Sequence, residues 1–83
     1  MQLVIGARHI TPHTIRRIAG GVEAVLKGDA LRALLDSAFH GRGTIEILGG
    51  DLDRRRVEVT GIEMRGNDTR VTLICQGAAA ALH

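Results

Sequence analysis

Aromatic residues are almost missing from the chain, which has one Phe, Phe39, and neither Trp nor Tyr among its 83 residues. Modules that bind single-stranded nucleic acid stack bases on aromatic side chains, so this scarcity disfavours that class. Eleven Lys and Arg stand against nine Asp and Glu, which leaves a formal net charge of +2. That balance excludes the strongly basic proteins that bind nucleic acid by charge alone.

Cysteine is equally scarce, and the single Cys75 excludes an intrachain disulfide. Small secreted domains usually depend on disulfides, and the chain begins without a basic segment ahead of an apolar run. No apolar stretch approaches the roughly 18–20 residues of a membrane-spanning helix. These absences predict a cytoplasmic protein with no membrane partner.

Apolar residues make up 45% of the chain and charged residues 24%, as in ordinary folded proteins. The length allows one core, so we predict a single small α+β domain over residues 1–77. Residues 78–83 continue a low-complexity, Ala-rich tail, which we interpret as a frayed terminus.

The N-terminal half combines a strand with helical spacing of apolar residues. Gln2–Ile5 predicts a strand, and the pattern leaves open whether it continues to Ile10. Thr11-Pro12 is typical of a helix start, with an N-cap followed by Pro in the first turn. Gly20-Gly21 costs a helix about 1 kcal/mol per glycine, but the apolar spacing continues across it. We therefore predict one helix whose apolar stripe is Ile15, Ile18, Ala19, Val22, Val25 and Leu26.

A second helix is predicted after Gly28-Asp29, and it ends at His40-Gly41. Its apolar stripe consists of Leu31, Leu34, Leu35, Ala38 and Phe39. The two helices are expected to form a hairpin with matched apolar faces.

The C-terminal half predicts three strands joined by short turns. The first covers residues 44–48, and the last alternates at Val71, Leu73 and Cys75. Between them the apolar residues change from odd to even positions, which predicts a β-bulge near Thr60-Gly61. The expected fold is a two-layer α+β domain: an N-terminal strand, a two-helix hairpin and a three-stranded antiparallel meander. Whether the first strand joins its own sheet or that of another subunit is left open.

Two sets of residues are candidates for self-association. Leu48 and Ile74 are expected to face away from the helices, and Gly20, Ala24 and Gly28 share one helix face at four-residue spacing. A chain of this size gains little stability from its own core, and oligomerisation is a common remedy. The leading hypothesis is a non-enzymatic protein–protein interaction module that forms a homo-oligomer. A hetero-protein partner, and a role as scaffold or adaptor in a larger assembly, remain open.

The alternative is a nucleic-acid-binding module. Its phosphate-binding residues would be Arg54, Arg55 and Arg56, with Arg65 and Arg70 nearby. Acidic residues are interleaved with these arginines, which favours a solvated, charge-balanced sheet surface instead.

Neither catalysis nor metal binding is predicted, and no cofactor is expected. Ser37 is the only serine, with Asp36 adjacent and His40 three residues on. A nucleophile needs a base in hydrogen-bond geometry and an oxyanion hole, and residues one apart on a helix point in different directions, so catalysis here is disfavoured. His9 and His13 supply too few ligands for tetrahedral zinc, since Cys75 is expected to face the core.

Overall fold

A computed structural model describes residues 1–41 and 44–76. In this part of the chain there are seven strands and one α-helix, with a short 3₁₀ turn at Gly50–Leu52. The elements are β1 (Gln2–Ile5), β2 (Arg8–Ile10), β3 (Thr14–Ile18), β4 (Gly21–Leu26), α1 (Gly28–His40), β5 (Ile45–Leu48), β6 (Arg56–Arg65) and β7 (Asp68–Cys75). All strands belong to one antiparallel sheet in the order β2-β1-β5-β6-β7-β4-β3.

The first predicted helix is wrong, because residues 14–26 form the β3–β4 hairpin. Gly20 has φ +79° in the turn between the two strands, a conformation that glycine adopts readily. Gly21 is pressed against β7, where a Cβ would lie 1.9 Å from the carbonyl oxygen of Leu73. The two glycines therefore serve a tight hairpin and a close strand contact rather than interrupting a helix. The predicted two-helix hairpin is absent from the described residues.

The second predicted helix is confirmed as α1, which ends at Gly41 in the left-handed conformation. Its central Leu34 is fully buried, and Leu31 and Leu35 pack partly against the same core. Facing the helix is the inner face of the sheet, whose buried residues include Leu3, Ile5, Ile47, Val22, Val71 and Leu73. Phe39 lies outside this core, with 68% of its surface exposed.

The strand Gln2–Ile5 is confirmed, and it joins the chain's own sheet between β2 and β5. Its continuation turns back at Gly6, so that Arg8–Ile10 pairs with it as β2. β5, β6 and β7 are neighbours, as expected, but within a seven-stranded sheet rather than a three-stranded meander. The α+β two-layer prediction with two helices is therefore corrected to a sheet-rich domain with a single described helix. The predicted tail, residues 78–83, and Gly77 lie outside the described residues.

Candidate functional site

Among the described residues, most of β6 has a pairing partner on one side only. β7 pairs with it from Val57 to Arg65, whereas β5 pairs with it only through Glu46–Arg56 and Ile45–Val57 among the described residues. In an antiparallel sheet every second residue directs its N–H and C=O groups toward one neighbour. Within the described ranges, residues 58–65 of β6, called the open edge below, therefore have no backbone partner on the β5 side.

The predicted bulge is confirmed within this open edge. The pairing of β6 with β7 shifts between Val59 and Gly61, so that no residue of β7 is paired opposite Thr60. The shift changes which side chains face inward, because a one-residue insertion reverses the alternation. Val59 pairs with Leu73 on the inner face, and after the bulge Ile62 pairs with Val71 on that same face.

A groove runs beside the open edge and is closed on its far side by the last turn of α1. Its volume is about 490 Å³, and its walls include Ser37 and Phe39 from the helix and Val59 and Ile62 from β6. Gln76, which follows β7, lies at one end. This space between the helix end and residues 56–62 is called the β6 groove below.

Two exposed large apolar side chains, Phe39 and Ile62, line the β6 groove, and a third, Met64, lies two residues beyond Ile62 on β6. Phe39 is 68% exposed, Ile62 39% and Met64 77%, and in the described part of the chain Met1 is the only other large apolar residue this exposed. Met64 follows Ile62 by two residues and therefore shares its face of β6. Clustered exposed apolar surface beside an unpaired strand edge is typical of a protein-interaction site.

The predicted self-association residues lie elsewhere. Leu48 and Ile74 are on the outer face of the sheet and are partly buried there, with Ile74 paired between Gly21 and Glu58. Because the first helix does not form, Gly20, Ala24 and Gly28 share no helix face. They occupy the β3–β4 turn, a fully buried position in β4 and the first residue of α1, respectively.

The five candidate phosphate-binding arginines do not converge. Arg54, Arg55 and Arg56 lie exposed at the start of β6, whereas Arg65 is at its far end, about 30 Å away at ~3.3 Å per residue. Arg70 belongs to that far end as well, since Glu63 is its cross-strand partner.

The two distal arginines are already engaged by acidic side chains. Arg65 forms an ion pair with Glu63, and Arg70 Nε lies 3.6 Å from Glu23 Oε1. Arg16 joins the second contact, with its Nε 3.1 Å from the same Glu23 oxygen. The outer face is therefore a mixed-charge surface.

The residues considered for catalysis or metal binding are dispersed. His9 is on β2, Cys75 is buried at the end of β7, and His40 Nε2 lies 3.9 Å from Asp36 on the exposed side of α1. Within the described ranges, no three His, Cys, Asp or Glu residues are grouped so as to hold a metal ion.

Sequence reasoning missed the β6 groove, although one signal for it was present. The predicted first strand of the meander spans residues 44–48, while the apolar alternation after it runs from Val57 to Met64. A short strand cannot cover a neighbour twice its length, so the excess length of β6 indicates an open edge.

No protein-family model matches the chain, and neither a curated protein nor a solved structure is significantly similar to it. Among the described residues, no helix is long and apolar enough to cross a membrane. The geometry of the β6 groove is thus the basis on which a function is proposed.

Proposed function

We propose that the protein is a non-enzymatic association module that binds a second copy of itself through the β6 groove. The observation that carries this proposal is the concentration of Phe39, Ile62 and Met64 around one unpaired strand edge. Fully burying such a side chain contributes about 1.5–3 kcal/mol, and each copy in a symmetric dimer contributes its own set.

The shape of the surface supports a like partner. It offers both a hollow, the β6 groove, and a protruding aromatic ring, Phe39, on the same patch. A two-fold interface brings the same patch of two copies together. A patch that carries both a protruding side chain and a hollow can therefore fit a second copy of itself. Such a dimer can also serve as the unit of a larger assembly or as an adaptor for another protein.

Size-exclusion chromatography with light scattering tests this function. We expect the wild-type chain to form a dimer, and Met64→Asp to shift it to monomer because a carboxylate would be buried in the interface. Met64 is 77% exposed, so the substitution leaves the monomer folded. Thr14→Asp, on the edge strand β3, is the matched control and keeps the dimer. A wild-type monomer at high micromolar concentration contradicts the proposal.

A second candidate function is nucleic-acid binding, in which Arg54–Arg56 would contact the phosphates. These three side chains are exposed and have no ion-pair partner within residues 1–41 and 44–76, unlike Arg65 and Arg70. Three arginines at one turn form a small site, and stacking support is weak because Phe39 is the only aromatic residue. This function therefore ranks second.

We propose a cytoplasmic location. Cys75 is a free thiol buried at the end of β7, which suits a compartment where disulfides are not needed for stability. Fractionation of cells that express the full chain tests this: recovery with soluble cytosolic markers supports it, and recovery in the membrane or secreted fraction contradicts it.

A further inference from the structure

We infer that two copies join their open edges, β6 to antiparallel β6, about a two-fold axis that passes beside Ile62. This inference rests on the proposed function and specifies its geometry. A second copy fits this edge because β6 is complementary to itself in the face its apolar side chains share and in charge.

The direction of the backbone groups sets which residues pair. Gln76 N–H donates to the carbonyl oxygen of Arg56, 2.9 Å away, so the backbone N–H and C=O groups of Arg56 are directed toward β7. Because this direction alternates along a strand, the backbone groups of Val57 and Val59 are directed away from β7, toward the β5 side. At the other end, Arg65 and Asp68 are paired across the two-residue Gly66-Asn67 turn. The two residues that close such a hairpin direct their backbone groups toward each other, so those of Arg65 face β7.

Beyond the bulge, alternation from Arg65 gives the remaining directions. Glu63 points toward β7, whereas Ile62 and Met64 point their N–H and C=O groups toward the open side. Among the described residues, the β6 backbone groups without a partner on this side are therefore those of Val59, Ile62 and Met64. These same residues carry the inward-facing apolar side chains.

One antiparallel register pairs the backbone groups of all three residues, Val59, Ile62 and Met64, with those of a second copy. Ile62 lies opposite Ile62 of the second copy, and Val59 lies opposite Met64 of the second copy when Thr60 is passed over. β7 passes over Thr60 in the same way, so the bulge already present fits this pairing. Apolar inward side chains then face one another across the joint, next to Phe39.

Charge complementarity favours this register independently. The next pair outward brings Glu58 opposite Arg65 of the second copy, and the two-fold axis generates the same contact a second time. Both residues are on the outer face, since Glu58 pairs with Ile74 and Arg65 with Asp68. Opposite charges directly across two strands stabilise their pairing.

The start of β5 limits the length over which the two open edges pair. The pairing uses residues 58–65 of each copy, and residue 57 is already paired with Ile45 of β5. The Gly66-Asn67 turn of one copy must therefore bend out of the sheet where β5 of the other begins, because Ile45 occupies the place opposite Val57. The joined sheet leaves no part of the open edge without a partner.

A charge-swap series tests the register by sedimentation equilibrium. We expect Glu58→Arg to weaken the dimer at least about tenfold, because two attractive contacts become repulsive. Arg65→Glu should weaken it similarly, and the double variant should recover most of the wild-type affinity. Arg8→Glu is the matched control, since Arg8 is exposed on β2, an edge strand of the sheet that is not a neighbour of β6. It should leave the affinity within about threefold.

A cysteine scan gives a second readout. Directly opposed residues in a sheet have Cα atoms about 5.5 Å apart or closer, which is within disulfide range. Ile62→Cys should therefore oxidise to a covalent dimer, whereas Glu63→Cys should remain monomeric on a non-reducing gel. The reverse pattern overturns the register.

The two levels of the proposal fail in different ways. A wild-type monomer overturns both the proposed function and the register. A wild-type dimer in which the double charge swap gives no recovery, or in which a chain ending at Gln76 no longer dimerises, overturns the register and leaves self-association standing.

Discussion

Val57 pairs with Ile45, and among the described residues this is where the pairing of β5 with β6 ends. β6 continues for eight more residues with β7 as its neighbour. In the described part of the chain, three of the four exposed large apolar side chains lie on or beside this stretch. A strand edge of this kind is normally covered, charged or kept short. The proposed dimer follows from the mismatch in length between these two strands.

Gly21 lies in close contact with β7, so the sign of the stability change in Gly21→Ala distinguishes the observed hairpin from the predicted helix. In a helix, Gly21→Ala would stabilise by about 1 kcal/mol. In the β3–β4 hairpin the new Cβ would meet the Leu73 carbonyl oxygen, so we expect a loss of about 1–3 kcal/mol or more.

Gly61→Ala is the matched control in a urea unfolding series. Its Cβ would be 3.6 Å from Thr72 Oγ1, an ordinary contact, so stability should change by less than about 1 kcal/mol. Equal effects at Gly21 and Gly61 would contradict the described packing of β4 on β7.

The two ends of the helical apolar stripe should differ in what they stabilise. Leu34 is fully buried against the sheet, so Leu34→Ala should lower the free energy of unfolding by about 2–5 kcal/mol. Phe39→Ala should change the stability of the monomer by less than about 1 kcal/mol, because the ring is mostly exposed. It should weaken the dimer instead, as light scattering over a dilution series can show. A large loss of monomer stability in Phe39→Ala would place the ring in the core and contradict the account.

Arg54 is the one described non-glycine residue with positive φ, at 68°. A left-handed conformation costs an L-residue about 1 kcal/mol, so Arg54→Gly should be neutral or stabilising by up to about 1 kcal/mol in thermal unfolding. Arg55→Gly, next in the chain and without positive φ, should be destabilising. The opposite order would mean that the turn before β6 has a different conformation.

The arginine cluster gives a prediction that separates the two candidate functions. If association is the function, Arg55→Glu combined with Arg56→Glu leaves the dimer mass unchanged. If the cluster binds phosphate, the wild-type protein purifies with nucleic acid, which this double variant and high salt both remove. A chain without Trp or Tyr absorbs little at 280 nm, so absorbance at 260 nm reports the bound nucleic acid directly.

Some elements of the fold could be predicted from local patterns and others could not. The stripe of α1 has a single helical period, and β7 alternates strictly, so both were identified. Residues 14–26 fit two periods at once: Ile15, Ile18 and Val22 are spaced as in a helix, while Val22, Ala24 and Leu26 alternate and are buried as in a strand. Pairing of β4 with β7, about fifty residues away in the chain, decides between them, and no local window contains that information.

The candidate site shows the same limit. Both strands and the bulge of β6 were predicted from alternation, but the open edge depends on where β5 stops pairing and on where the end of α1 lies. The exposure of Phe39 follows from that placement, because the helix crosses the core at Leu34 and extends past it. Helical periodicity identifies an apolar stripe without showing how far the sheet beneath it extends.

Amide hydrogen exchange at Ile62 and Met64, followed by NMR over a dilution series, tests whether the two β6 strands pair. We expect both N–H groups to be protected at concentrations where the dimer forms and to exchange rapidly in the monomer, while the β7-bonded N–H of Glu63 stays protected throughout. Rapid exchange at Ile62 and Met64 in a sample that light scattering shows to be dimeric would contradict this pairing.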